Sequence, residues 1–202
     1  EATLLDLAEA AGISTPKHTL VGVGDKHALV LSRFDREAEG RIPYISAMTL
    51  LGKHDGDEAD YVDIAHQMVR ADFHVGKNLA ALFDRVVFGL MVNNTDDHLR
   101  NHGFLRVDHG WALSPAFDLN PDPVAGRPRR TSVLGARVLE DSARVLYDFA
   151  GECRLSDHQA AQRISAIVRA GSHWREHAAR NGLREHASGE IGARLDEGVA
   201  AL

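Results

Sequence analysis

The chain holds one cysteine, Cys153, in 202 residues. No internal disulfide framework can brace it, and a lone thiol fits a reducing, cytoplasmic setting. Long apolar runs are also missing. The longest, Val86 to Val92, is interrupted by Gly89 and falls far short of the roughly 20 residues that cross a bilayer, so no membrane role is expected. Neither a G-x-G-x-x-G run nor a P-loop occurs anywhere, which removes the commonest phosphate cradles. Gly22-Val23-Gly24 reads as a hairpin turn, with no helix behind it to present its amides. No signal peptide or initiator Met opens the chain. It starts at Glu1 within a helical pattern, and the expectation is a fragment whose upstream part is absent.

What remains is an ordinary globular composition, 44% apolar and 26% charged, enough for one well-filled domain or one lobe of a larger protein. The formal net charge of −6 gives no electrostatic reason to expect nucleic-acid binding. One basic cluster, Arg127, Arg129 and Arg130, is read as a solvated loop.

Leu4, Leu5, Leu7, Ala8 and Ala11 predict a helix stopping at Gly12. His18–Val23 and His27–Phe34 predict a hairpin turning at Gly24-Asp25. Residues 42–52 read as a loop and a short helix, and Tyr61 to Arg70 as a helix. The strongest signal follows: Leu79, Leu82, Phe83, Val86, Val87, Leu90 and Met91 recur at helical spacing and should be buried. A second hairpin is expected from Phe104–Val107 and Trp111–Leu113 around Asp108-His109-Gly110, followed by irregular Pro-rich chain from Ser114 to Arg130. Helices over residues 143–150, 156–169 (capped by Ser156), 172–181 and 185–200 complete an α+β fold that is mainly α.

Chemistry concentrates between Asn93 and Asn120. Asp96 and Asn101 stand five apart in a polar loop, and Asp118 follows the second hairpin. A loop carboxylate can accept the proton of an attacking hydroxyl, while an amide oxygen and a second carboxylate are hard ligands for magnesium. Protein kinases use this order of Asp, Asn and Asp. A competing reading takes His98 and His102, four apart beside Asp96 and Asp97, as a zinc pair. Asn93-Asn94 before them and Gly103 after them favour a loop, where that spacing loses its meaning.

Three motifs in order, LVLSRFDR (Leu29 to Arg36), NTDDHLRN (Asn94 to Asn101) and LSPAFDLNP (Leu113 to Pro121), resemble the C-terminal kinase core of HipA-like proteins, the serine/threonine kinase toxins of type II toxin–antitoxin pairs. The likeness is strong through Pro121 and weaker in the helical tail. It implies the helical C-terminal lobe of a protein-kinase-like fold with two short β-hairpins. Residues 1–36 would be the remnant of the small lobe and hinge, and 37–202 the helical lobe. It further implies ATP and Mg2+ as cofactors. Asp96 would be the base, with Asn101 and Asp118 the metal ligands. His98, Leu99, Arg100, Asn101, Phe117 and Asp118 would line the nucleotide phosphates, and Ser32, Arg33 and Phe34 the adenine hinge. The family's Gly-rich phosphate loop and a strand lysine that Glu1 would pair with would both lie upstream of Glu1, so this fragment is expected to be inactive alone. The implied partners are a HipB-like DNA-binding antitoxin, making DNA contact mainly indirect, and a translation-related protein substrate such as an aminoacyl-tRNA synthetase. Two other classes stay open: a catalytically silent antitoxin-binding domain, and a small-molecule phosphotransferase of the aminoglycoside or choline kinase type.

Overall fold

The computed structural model describes residues 1–37, 40–71, 75–107, 110–183 and 189–202. Its axis is helix α4, Val75–Met91, the segment with the strongest apolar period. All seven residues of the predicted stripe are at most 2% exposed, because the other helices wrap this one: α3 (Tyr61–Arg70), α6 (Leu146–Glu152), α7 (Asp157–Gly171) and α9 (Gly189–Ala201) all pack on it. At two of these crossings a glycine admits the neighbour. A Cβ on Gly198 of α9 would fall 1.8 Å from the Met91 carbonyl oxygen, and one on Gly171 of α7 would fall 2.3 Å from Met91 Sδ.

Helix α1 (Ala2–Ala10) buries Leu4, Leu5, Leu7 and Ala8 and ends at Gly12 with a φ of 82°. The Gly12 N–H donates to Glu9 O and that of Ile13 to Ala8 O, closing the helix with the hydrogen-bond pattern a left-handed glycine permits. β1 (His18–Val23) and β2 (Lys26–Leu31) form the predicted antiparallel hairpin, with His18 opposite Leu31. The strand was expected to run on to Phe34, but it stops at Leu31, where Ser32 N–H donates to Lys17 O at 2.8 Å. Little covers this ribbon: Val21, Val23 and Val30 are 43, 60 and 53% exposed.

Three short pairings were not anticipated. β3 (Arg36–Glu37) pairs with β4 (Gly40–Arg41). β5 (Tyr44–Ser46), expected as loop, adds a third strand to the second hairpin, β7 (Gly103–Val107) and β8 (Gly110–Leu113), in the order β5-β7-β8. Asp108 and His109 of that hairpin's turn lie outside the described residues. β6 (Ala59–Asp60) runs parallel to β9 (Thr131–Ser132), a contact between residues 72 apart that no local pattern announces.

Helix α2 (Ala47–Leu51) is capped by Ser46, whose hydroxyl accepts from Thr49 N–H. The helix expected over 143–150 is two: α5 (Leu139–Arg144) and α6 break at Val145. The break serves packing, since α5 lies on α9 while α6 lies on α3 and α7, burying Leu146, Phe149 and Ala150. Ser156 caps α7 as predicted, in a reciprocal box with Gln159. α8 (Trp174–Arg180) follows. Residues 185–188 of the last predicted helix lie outside the described residues, and α9 forms the rest.

Candidate phosphoryl-transfer site

Helix α4 delivers the chain into the polar loop through a defined stop. Asn93 takes a left-handed φ of 52°, its N–H donates to Leu90 O at 3.1 Å, and that of Asn94 donates to Gly89 O at 2.9 Å. Asparagine tolerates this conformation and so does here what Gly12 does for α1. The next residues form tight turns, not helix. His98 and His102 therefore lie on a turn, and His102 is already engaged by Asp97, which leaves the zinc reading without its helical premise.

The two adjacent carboxylates of the loop face opposite environments. Asp96 turns outward, its side chain 74% exposed, and its Oδ1 accepts from Arg130 Nε at 3.0 Å. Asp97 is 7% exposed. Its carboxylate accepts the Tyr61 hydroxyl at 2.5 Å and has His102 Nε2 3.0 Å from both oxygens. Burial pushes the Asp97 carboxyl upward, but His102, Tyr61 and Arg129 outweigh it and hold it below the usual carboxylate range. The same burial, with Asp97 beside it, drives the Tyr61 hydroxyl well above its ordinary value. Asn101, the expected amide ligand, is 8% exposed, and its N–H closes a turn onto His98 O at 2.9 Å. The loop is also gripped by α2: Ala47 N–H donates to His102 O and Met48 N–H to Leu99 O.

Asp118 sits in a left-handed conformation, φ 57°, with an exposed carboxylate that accepts from Asn120 Nδ2 at 2.9 Å. Its N–H donates to the Glu1 carboxylate at 3.2 Å, so Glu1 belongs to the site's neighbourhood. Phe117 lies against Phe34 at a tilt of 34° with centroids 5.5 Å apart, and this contact brings the third motif to the first. Ser32 and Arg33 follow the end of β2, and Arg33 forms an exposed ion pair with Asp35 at 2.7 Å.

Six of the candidate residues divide between two surfaces, and Asp118, Ser32, Arg33 and Phe34 line neither. Asn101 and Phe117 line a small void of about 20 Å³ with Arg85, Asp97 and His102. Asp96, His98, Leu99 and Arg100 line an open polar groove of about 390 Å³, walled by the turn at 54–59 and by Arg130 and Arg137. Leu99 belongs largely to the core at 3% exposure, and Arg100 pairs with Asp55 across the groove. The hard oxygen donors of Asn101 and Asp118 are of the kind magnesium prefers, and among the described residues no group of three or more His, Cys, Asp or Glu could hold a metal ion.

Of the basic cluster, Arg127 and Arg130 are exposed, as expected of a solvated loop, but Arg129 is not. Arg129 is 2% exposed, donating to Asn94 O at 2.8 Å, Gly89 O at 3.1 Å and Leu90 O at 3.4 Å. Arg127 pairs with Asp122 at 2.8 Å and Arg130 with Asp96. Gly89 O and Leu90 O already accept from the N–H groups of Asn94 and Asn93, so the guanidinium adds a second donor to these two carbonyls and ties Asn94 O to the end of α4. The cluster was visible in the sequence, but the partners of Arg129 and Arg130, 34 to 40 residues upstream, were not.

Comparison with known proteins gives consistent answers. The family model described as HipA-like C-terminal domain matches residues 1–174. Protein Y4dM of Sinorhizobium fredii, provisionally named a kinase, is 30% identical over 135 residues, covering 59% of this chain and 32% of that protein. In structure, all of the chain superposes on HipA of Shewanella oneidensis, from a toxin–antitoxin complex with HipB and operator DNA, with a TM-score of 0.74 and 16% identity. It also superposes in full on CtkA, a proinflammatory kinase of Helicobacter pylori, with a TM-score of 0.67 and 14% identity. The chain spans 54% of that HipA chain and 79% of the CtkA chain.

Proposed function

This chain belongs to the family of HipA-like C-terminal domains, and from that premise we propose that it is the catalytic lobe of an ATP-dependent serine/threonine protein kinase. One observation carries the reading: the outward Asp96 and the inward Asn101 bound one loop fixed to a buried helix, and Phe117, beside Asp118, lies against Phe34. In this assignment Asp96 accepts the proton of a serine hydroxyl that enters along the polar groove. Asn101 and Asp118 hold Mg2+, which when bound neutralises phosphate charge. Ser32 to Phe34 offer backbone groups to adenine, and His98, Arg100 and Phe117 border the nucleotide.

The sparsely covered β1–β2 ribbon supports a further part of the proposal. A two-stranded ribbon is marginal by itself, and its exposed valines suit coverage by an upstream phosphate-binding lobe. Alone, the 202-residue chain binds ATP weakly and does not turn over. The HipA structure that this chain resembles was determined with HipB and operator DNA. By analogy the partner here is a HipB-like antitoxin that itself carries the DNA contact, and the acceptor is a translation-related protein such as an aminoacyl-tRNA synthetase.

The test is transfer of labelled γ-phosphate by the intact protein, with Mg-ATP binding followed calorimetrically. Asp96→Asn should abolish transfer while leaving ATP binding, and Asp118→Asn should weaken Mg-ATP binding. Transfer unaffected by Asp96→Asn refutes the assignment.

A further inference from the structure

The loop between Asp96 and Asn101 has no helical ladder to fix its span, yet the proposed chemistry requires the base and the metal ligand at a set separation. Each of these residues is immediately followed by a buried one, Asp97 after Asp96 and His102 after Asn101, and these two touch each other at 3.0 Å. This side-chain contact closes a ring around residues 98–101. A further bond inside the ring, Asn101 N–H to His98 O at 2.9 Å, keeps it tight.

The ring is held from outside by one unit of structure. The parallel pair β6–β9 sets Ala59 beside Thr131 and Asp60 beside Ser132. Tyr61 follows directly from β6 and donates to the Asp97 carboxylate, while Thr131 Oγ1 donates to the Asp97 carbonyl at 2.7 Å. The residues before Thr131 continue the same register: Arg130 N–H donates to Thr95 O at 2.9 Å and Arg129 Nη1 to Asn94 O at 2.8 Å. Residues 129, 130 and 131 thus grip the carbonyls of 94, 95 and 97 in order. Taking a carboxylate out of water costs several kcal/mol. An apolar residue at 97 would avoid that cost, but it could not fix one loop geometry as directional polar contacts do.

We propose that the Asp97–His102 contact is a clip that sets the separation of Asp96 from Asn101, with Asp97 and His102 as positioning residues and Tyr61 and Thr131 as the clamp that holds the clip. The proposal deepens the kinase reading and rests on it for its catalytic consequence. Its geometric content can be measured without catalysis.

The experiment uses the intact protein and two variants, His102→Phe, which removes the contact, and His102→Gln, which keeps a polar group at similar reach. Both are assayed at a temperature where urea titration shows each fully folded. For His102→Phe the turnover per folded molecule should fall roughly 10- to 100-fold, the loss expected for a misplacement near 1 Å. KM for ATP should stay within about two-fold, and His102→Gln should restore a large part of the turnover. A residue that only stabilises the fold would change the urea midpoint and leave turnover per folded molecule unaltered, and that result overturns the proposal. If the wild type shows no transfer sensitive to Asp96→Asn, the kinase reading has failed. The clip is then judged by amide hydrogen exchange over residues 96–101, which should quicken at least about 10-fold in His102→Phe with α4 unchanged. Unchanged exchange in the loop overturns it.

Discussion

Replacing Arg129 by Met keeps the apolar stem and removes the guanidinium from a site that is 2% exposed. Two of its three bonds, to Asn94 O at 2.8 Å and Gly89 O at 3.1 Å, fall inside the normal range, while the third, to Leu90 O at 3.4 Å, is marginal. A bond from a charged donor contributes about 1.5–3 kcal/mol, so the two good bonds bound the loss near 3–6 kcal/mol. Two effects reduce it. Gly89 O and Leu90 O keep the N–H groups of Asn94 and Asn93, and the variant no longer buries a cation, whose desolvation alone costs several kcal/mol. The net expectation is about 3 kcal/mol, or a little over 100-fold in the folding constant. With a urea slope of about 2 kcal/mol/M, the midpoint should fall by about 1.5 M, read by circular dichroism at pH 7. Arg129→Lys can keep one of the bonds and should recover less than half. A shift below about 0.3 M for Arg129→Met would refute the reasoning that this arginine fastens the end of α4 to its loop.

The two glycines against Met91 should respond unequally to alanine. Gly198→Ala drives a Cβ into backbone atoms and should cost about 3 kcal/mol, whereas Gly171→Ala meets the flexible Met91 thioether and should cost about 1 kcal/mol, both read from urea midpoints; equal costs would contradict the packing described. Cys153 is 1% exposed, and burial pushes its thiol up to about 12. A disulfide reagent at pH 8 should therefore label it only on unfolding. The unfolded thiol ionises near its ordinary 9.0 while the folded one does not. Stability should therefore decline as pH rises above about 9, and Cys153→Ala should flatten that decline.

The legible part of the fold was local. The stripe of α4, the glycine stop at Gly12, the Ser156 cap and both hairpins follow from spacing and turn chemistry within a dozen residues. The break at Val145 was not legible, because it answers to two different packing partners and not to a breaker residue. The site divides along the same line. Asp96, Asn101 and Asp118 stood out by residue type and order. Their supports did not: Tyr61, Arg129 and Thr131 gain meaning only from a parallel pairing across 72 residues, and a cluster of three arginines looks the same in sequence whether dissolved or buried. Asp97 was passed over beside Asp96, since the sequence says which residues are carboxylates but not which one faces inward.

The pairing of β6 with β9 also imposes an order of events during synthesis. Asp96, Asn101 and Asp118 all leave the ribosome before Arg129 and Thr131, which hold the loop, and before α7 and α9, which cover α4. The growing chain therefore carries its proposed reactive groups for some time without the means to aim them. The loop can reach its final geometry only after Thr131 has emerged, and α4 is covered only once α7 and α9 follow.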